Sequence, residues 1–132
     1  MNSFELLFVA GIIGASVALL YIVIAKPIAG KAMLAAILSG ALAAYTAVQI
    51  WQDGVAMFWI NHTANLTGVQ VWWDLVAAVI IALFFIAPRA RKVGMNVPLW
   101  TLLVGTTASI GLLAMGARLF WLEDTATTET TP

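Results

Sequence analysis

The chain has no cysteine, little charge and a single histidine. Charged residues make up 9% of its 132 residues, and six Lys and Arg are balanced by six Asp and Glu. Without cysteine, disulfides, thiolate zinc sites and cysteine-ligated iron–sulfur clusters are excluded. Because there is no cationic surplus, nucleic acid is not an expected partner.

Apolar residues take the place of the missing charge. Hydrophobic residues account for 63% of the chain, and the mean hydropathy is +1.01. Soluble domains carry roughly a quarter charged residues and somewhat under half apolar ones. A water-soluble globular domain is therefore excluded, and the length fits one membrane-embedded domain.

Four apolar stretches approach the ~20 residues that a helix needs to cross a bilayer. They cover residues 4–25, 32–51, 69–87 and 97–122. The third reaches this length only if it includes residues 69–74, which places Asp74 at the membrane edge. The first has no basic leader, so we predict a retained helix rather than a signal peptide. We predict an all-α fold, a four-helix transmembrane bundle, followed by a flexible polar Thr-rich tail over 123–132.

Proline and glycine mark the predicted ends of these helices. Lys26-Pro27 is expected to end the first helix, and Pro88 the third. Gly94 precedes the fourth helix, and Pro98 occupies a favourable position in its first turn. Asp53-Gly54 is expected to form a turn after the second helix.

Charge predicts the orientation of the helices. The loops at 26–31 and 88–96 hold five of the six basic residues and none of the acids. Cytoplasmic loops of membrane proteins carry such an excess of Lys and Arg. We therefore expect these two loops in the cytoplasm, both termini outside, and an inner or plasma membrane as the location.

Most tryptophans map to the outer boundary in this topology. Tryptophan favours that layer because its ring is apolar and its N–H needs a polar partner. The arrangement indicates either an interfacial belt or a docking surface for a partner or a lipophilic ligand. This outer tryptophan group consists of Trp51, Trp59, Trp72, Trp73 and Trp121.

Asp74 and Arg118 are the charged residues closest to the membrane interior. Both lie near the outer edge in the four-span topology, at overlapping depth. Because ionisable groups in membranes are usually paired, we predict an ion pair between them. The alternatives are that Asp74 caps its helix, or that the two residues mark the mouth of a binding pocket.

The outer loop contains the only histidine, His62, between two Asn-X-Thr triplets at Asn61 and Asn65. One histidine cannot build a multi-histidine metal site, although it could be the single ligand of a porphyrin-type metal. A loop residue with a local hydrogen bond is the alternative. The two triplets lie on the side where glycosylation occurs, and turn or cap chemistry explains them equally well.

Small residues predict where helices approach one another. The second helix carries Ala32, Ala36, Gly40 and Ala44 at four-residue spacing, and the first carries Gly11 and Gly14. In lipid, such residues allow close helix contacts. They indicate either packing within the chain or a surface for a partner subunit.

The second half of the chain resembles a known family. Asn65 is followed by Trp73-Asp74-Leu75 and an apolar helix, and then by Arg91-Lys92-Val93-Gly94-Met95, Trp100 and a last apolar helix. This order resembles a family of small bacterial and algal membrane proteins catalogued as a domain of unknown function (number 2834 in that series). The resemblance covers residues 61–122. It implies an integral membrane protein, with Asp74 at the family's acidic position, and no established activity.

Two functions remain open from the sequence. The first is a non-catalytic accessory or scaffold subunit of a larger membrane assembly, respiratory or photosynthetic, with other membrane subunits and the bilayer as partners. The second is a carrier or binder of a quinone, lipid or carotenoid. We expect no dedicated cofactor and no metal, and no catalytic motif favours an enzyme.

Overall fold

In the computed structural model, residues 2–24 and 31–129 are described, and within them the chain is entirely helical. There are six helices and, in these two ranges, no strand: α1 Ser3–Ile24, α2 Ala32–Asp53, α3 Ala56–Thr63, α4 Leu66–Lys92, α5 Val97–Thr107 and α6 Ser109–Glu129. Helices α1, α2 and α4 are long and apolar enough to cross a membrane. Three predicted features lie outside the described ranges: the helix end at Lys26-Pro27, residues 26–30 of the first basic loop, and residues 130–132 of the tail.

Helix α4 is longer than predicted at both ends. The side-chain oxygen of Asn65 accepts a hydrogen bond of 2.8 Å from Gly68 N–H, which caps its first turn. Pro88 was predicted to end the helix but lies inside it. Proline removes only one hydrogen bond, to the Phe84 carbonyl, and membrane helices tolerate this loss.

Gly94, rather than Pro88, ends α4. Its φ of +76° is a left-handed conformation, and Met95 N–H reaches back to the Ala90 carbonyl at 2.9 Å. This pattern is the glycine-terminated helix end in which the chain turns sharply away. Asn96 then caps α5 by accepting from Leu99 N–H at 3.2 Å, and Pro98 lies in the first turn of α5 as predicted.

The fourth apolar stretch is two helices rather than one. Ala108 interrupts it with a φ of 48° and a ψ of −118°. A Cβ atom built on Gly111 would lie 2.9 Å from the Leu103 carbonyl oxygen, whereas eight residues of straight helix span about 12 Å. Helix α5 therefore folds back against α6, and the prediction of one uninterrupted span over 97–122 is corrected.

Polar and small residues cluster around the turn where the helix breaks. The hydroxyls of Thr106 and Thr107 donate to carbonyls one turn earlier, at 3.1 and 2.7 Å respectively. Such bonds, together with β-branching, weaken a helix interior. Gly111 then allows the two helix backbones to touch.

Replacing Ala108 by glycine is expected to stabilise this turn. A non-glycine residue at positive φ costs about 1–3 kcal/mol, and glycine costs about 0.5–1 kcal/mol in chain entropy. We expect Ala108→Gly to raise the free energy of unfolding, measured by SDS titration in mixed micelles, by about 1 kcal/mol. The control Ala117→Gly, inside α6, should lower it by a similar amount; a loss in both variants would contradict the turn.

The buried core lies where α4, α5 and α6 meet. It is formed by Ala90, Met95, Val97, Val104, Met115 and Leu119. On the other side of α6, the small residues of α2 pack against it, and the Ser39 hydroxyl donates to the Ile110 carbonyl at 2.9 Å. The α2 small residues at Ala35 and Ser39 are thus used within the chain.

Helix α1 differs from the other long helices because all of its described side chains remain exposed. Nothing lies within 4 Å of a Cβ atom built at Gly11 or Gly14. The small residues of α1 are therefore not used for packing in the described part of the chain.

Residues 123–129 continue α6. The predicted flexible tail is thus helical over this part. Threonine hydroxyls satisfy carbonyls of the preceding turn, as in the 2.9 Å bond from Thr128 to the Asp124 carbonyl. The polar composition of the segment does not prevent a helix, and the hydroxyls of Thr125, Thr127 and Thr128 all donate to carbonyls one turn earlier.

Candidate functional site

Helices α3 and α4 form a short hairpin that positions the candidate site. The chain turns at Ala64 and Asn65, and α4 begins at Leu66. A Cβ atom built on Gly68 would lie 2.5 Å from the Asn61 carbonyl oxygen. Only glycine lets the two backbones approach so closely, so Gly68 and the Asn65 cap together set the spacing between the helices.

A cavity of about 430 Å³ lies between these helices. Four aromatic or imidazole rings contribute to its wall, and aliphatic side chains cover most of the remainder. The lining residues are Val55, Phe58, Trp59, His62, Thr63, Val69 and Trp72. A volume of this order falls in the range of small-molecule pockets.

His62 is held by two contacts. Its Nδ1 lies 2.5 Å from the Phe58 carbonyl oxygen, and its ring meets the Trp72 ring edge to face, with centroids 5.3 Å apart. Because a carbonyl oxygen can only accept, the hydrogen must be on Nδ1. In the neutral form of the ring, Nε2 is then a hydrogen-bond acceptor.

Residues of the two glycosylation triplets form hydrogen bonds that explain their presence without glycosylation. Asn65 uses its side-chain oxygen to cap α4, and Thr63 donates to the Trp59 carbonyl at 2.8 Å. Cap chemistry therefore accounts for Asn65, and a bond within α3 accounts for Thr63. Asn61 is exposed on α3, and glycosylation at either asparagine stays a prediction.

Asp74 and Arg118 are not brought together. Arg118 places its guanidinium carbon 4.6 Å from the centre of the Trp121 ring, while Asp74 is exposed on α4. The predicted ion pair assumed a fourth span running back to the outer edge. Since α6 instead runs back from the turn at Ala108, the two charges lie at different levels of the fold.

An ion pair that the sequence analysis missed joins Arg89 to Glu123. The Nε of Arg89 donates to Oε1 at 3.0 Å, and its Nη2 donates to Oε2 at 2.6 Å. The guanidinium also lies 5.7 Å from the centre of the Phe120 ring. The four-span topology places these two charges on opposite membrane faces, whereas the structure joins them directly.

The residues of the outer tryptophan group also lie in two separate places. Trp51 ends α2, Trp59 lies on α3, and Trp72 and Trp73 lie near the start of α4. Trp121 instead lies two residues before Glu123, which contacts the far end of α4. About 24 Å of helix separates Trp73 from Arg89, so Trp121 does not belong with the other four.

No three His, Asp or Glu side chains gather into a potential metal site within residues 2–24 and 31–129. The candidate single ligand, His62, lies in the cavity lining. Chemically, the cavity can enclose an apolar group and offer it one acceptor nitrogen.

Comparisons with protein-family models, with curated proteins and with solved structures found no match. The resemblance of residues 61–122 to the domain-of-unknown-function family therefore stays a prediction.

Proposed function

We propose that the protein is a non-catalytic accessory or scaffold subunit of a larger membrane assembly. The observation that carries the proposal is α1: a helix long and apolar enough to span a membrane whose described side chains are all exposed. Helix α1 supplies the surface by which the chain attaches to a partner subunit.

The contrast between α1 and α2 supports this assignment. Both carry small residues, which allow close helix contacts in lipid. Those of α2 at Ala35 and Ser39 are buried, whereas Gly11 and Gly14 of α1 face open space. Helix α2 thus uses Ala35 and Ser39 within the chain and leaves Gly40 open, whereas the described part of α1 uses none of its small residues in this way.

The proposed topology has three spans, α1, α2 and α4, and a hairpin of α5 and α6 that enters the membrane partway. Helix α5 has 11 residues, about 16 Å of helix against a hydrocarbon core of about 30 Å. The basic loop at 26–31 and the basic end of α4, with Arg89, Arg91 and Lys92, lie in the cytoplasm. Because Glu123 binds Arg89, the end of α6 lies on the cytoplasmic side too, and the N-terminus lies opposite.

Native mass spectrometry of the protein extracted from its source membrane in mild detergent tests the subunit role. We expect a complex containing a second membrane protein at fixed stoichiometry. The variant Gly11→Leu/Gly14→Leu should release that partner, because leucine fills the surface where α1 is open. The variant should retain its own fold, since among residues 2–24 and 31–129 nothing lies within 4 Å of a Cβ atom built at either position.

Val17→Leu is the matched control, because it changes an exposed residue of α1 without filling a glycine position. It should retain the partner. A chain that is found alone with only lipid adducts would overturn the accessory role. A partner retained in the double leucine variant would show that attachment does not involve α1.

A further inference from the structure

The cavity between α3 and α4 combines aromatic walls with one polar atom of defined character. We propose that it binds an apolar ring compound bearing a hydroxyl group, of the phenol or quinol class, whose hydroxyl donates to Nε2 of His62. This site is separate from the α1 surface and does not depend on the accessory role.

The hydrogen-bonding character of the site follows from the bond between His62 and Phe58. Since the Phe58 carbonyl takes the hydrogen on Nδ1, Nε2 of the neutral ring can only accept. Nε2 has no hydrogen-bond partner among residues 2–24 and 31–129, as the hydrogen bonds of His62 show. A ligand hydroxyl therefore satisfies it, whereas an ether or carbonyl oxygen does not.

The walls favour a ring over a lipid tail. Phe58, Trp59 and Trp72 line the cavity together with His62. Aromatic rings gain edge-to-face and offset-stacked contacts with another ring that an acyl chain does not offer. The volume of about 430 Å³ accommodates a substituted ring with a short alkyl chain.

The site is also built before the ligand arrives. The contact between Gly68 and the Asn61 carbonyl fixes the spacing of the two helices, and the Asn65 cap fixes where α4 begins. The edge-to-face contact with Trp72 orients the imidazole. A preformed pocket loses little freedom when it binds, which favours affinity.

Two probes that differ only at the phenolic oxygen test the proposal: 4-heptylphenol, whose hydroxyl can donate to Nε2, and 4-heptylanisole, in which a methyl group replaces that hydrogen. Binding to the full chain in lipid nanodiscs is followed by quenching of tryptophan fluorescence and referred to partition into empty nanodiscs. We expect saturable binding, with the phenol about three- to tenfold tighter, as one added hydrogen bond predicts.

His62→Phe retains a ring beside Trp72 and removes the acceptor, so the two probes should then bind equally. Asn61→Ala, on the same helix but outside the cavity lining, should keep the preference for the phenol. Val69→Phe should fill the cavity and abolish binding of both probes. Circular dichroism confirms that each variant stays helical.

Three results would overturn the assignment. Non-saturable uptake of both probes would show simple partition into lipid. If the unmodified protein and His62→Phe preferred the phenol equally, the histidine would not be part of the binding site. Unchanged binding in Val69→Phe would place the probes elsewhere on the chain.

Discussion

Replacing Gly111 by alanine is expected to lower the free energy of unfolding by about 3 kcal/mol, the upper end for overpacking a tight contact. The added methyl would lie 2.6 Å from Thr107 Oγ1, 2.9 Å from the Leu103 carbonyl oxygen and 2.9 Å from Val104 Cα. Two of these atoms belong to the backbone and cannot rotate away. Helix α5 must therefore move off α6, and the buried Val104 loses its packing. SDS titration in mixed micelles measures the change.

Gly105→Ala is the matched control. Gly105 lies in α5, and nothing is within 4 Å of a Cβ atom built there. Alanine is the better helix former by about 1 kcal/mol, so this variant should be neutral or slightly stabilised. If both alanine variants behaved alike, α5 would not fold back on α6.

The second prediction concerns the side of the membrane on which the end of α6 lies. Because the chain has no cysteine, single cysteines can be introduced without any background. We expect Asp124→Cys and Lys92→Cys to be protected together from a membrane-impermeant maleimide added outside the cell, and Asn61→Cys to react. The salt bridge between Arg89 and Glu123 is the physical reason, since it joins the ends of α4 and α6.

An alternative topology gives the opposite pattern for one residue. With four full spans, Asp124→Cys would react together with Asn61→Cys. Labelling after the membrane is permeabilised must reach all three positions, which shows that the cysteines themselves are accessible. Reaction of Asp124→Cys in sealed cells would therefore contradict the hairpin arrangement.

The long helices could be predicted because their signal is a local count of apolar residues. The stretches at 4–25, 32–51 and 69–87 are confirmed as long apolar helices, at Ser3–Ile24, Ala32–Asp53 and Leu66–Lys92. Residue 25 lies outside the described ranges. The extra turns of α4 come from the Asn65 cap and from Gly94, two local features that hydropathy does not record.

The fold of the fourth stretch could not be predicted from hydropathy, because α5 and α6 together are as apolar as one span. The available signal was polar: Thr106, Thr107 and Ser109 interrupt the run, with Gly111 immediately beyond. Whether such a segment bends depends on the packing of Val104 against Met115 and Leu119 in the core. That contact arises only once the helices are placed in three dimensions.

For the candidate site, too, single residues could be predicted from the sequence, but the contacts between distant residues could not. His62, Trp59 and Trp72 each stand out in the sequence as single residues, for reasons of polarity and membrane depth. Their common cavity depends on Gly68 meeting the Asn61 carbonyl, which has no signature in composition. The pairing of Asp74 with Arg118 was drawn from depth alone, and the reversal at Ala108 removes its basis.

The shortness of α5 has a consequence for biogenesis. At 11 residues, it is well below the ~20 that suit release from the translocon into lipid as a span. In the proposed three-span topology, helix α4 is the last segment that the insertion machinery threads across. The α5–α6 pair then enters from the cytoplasmic side, so we expect a stop codon placed after Lys92 still to yield an inserted three-span fragment.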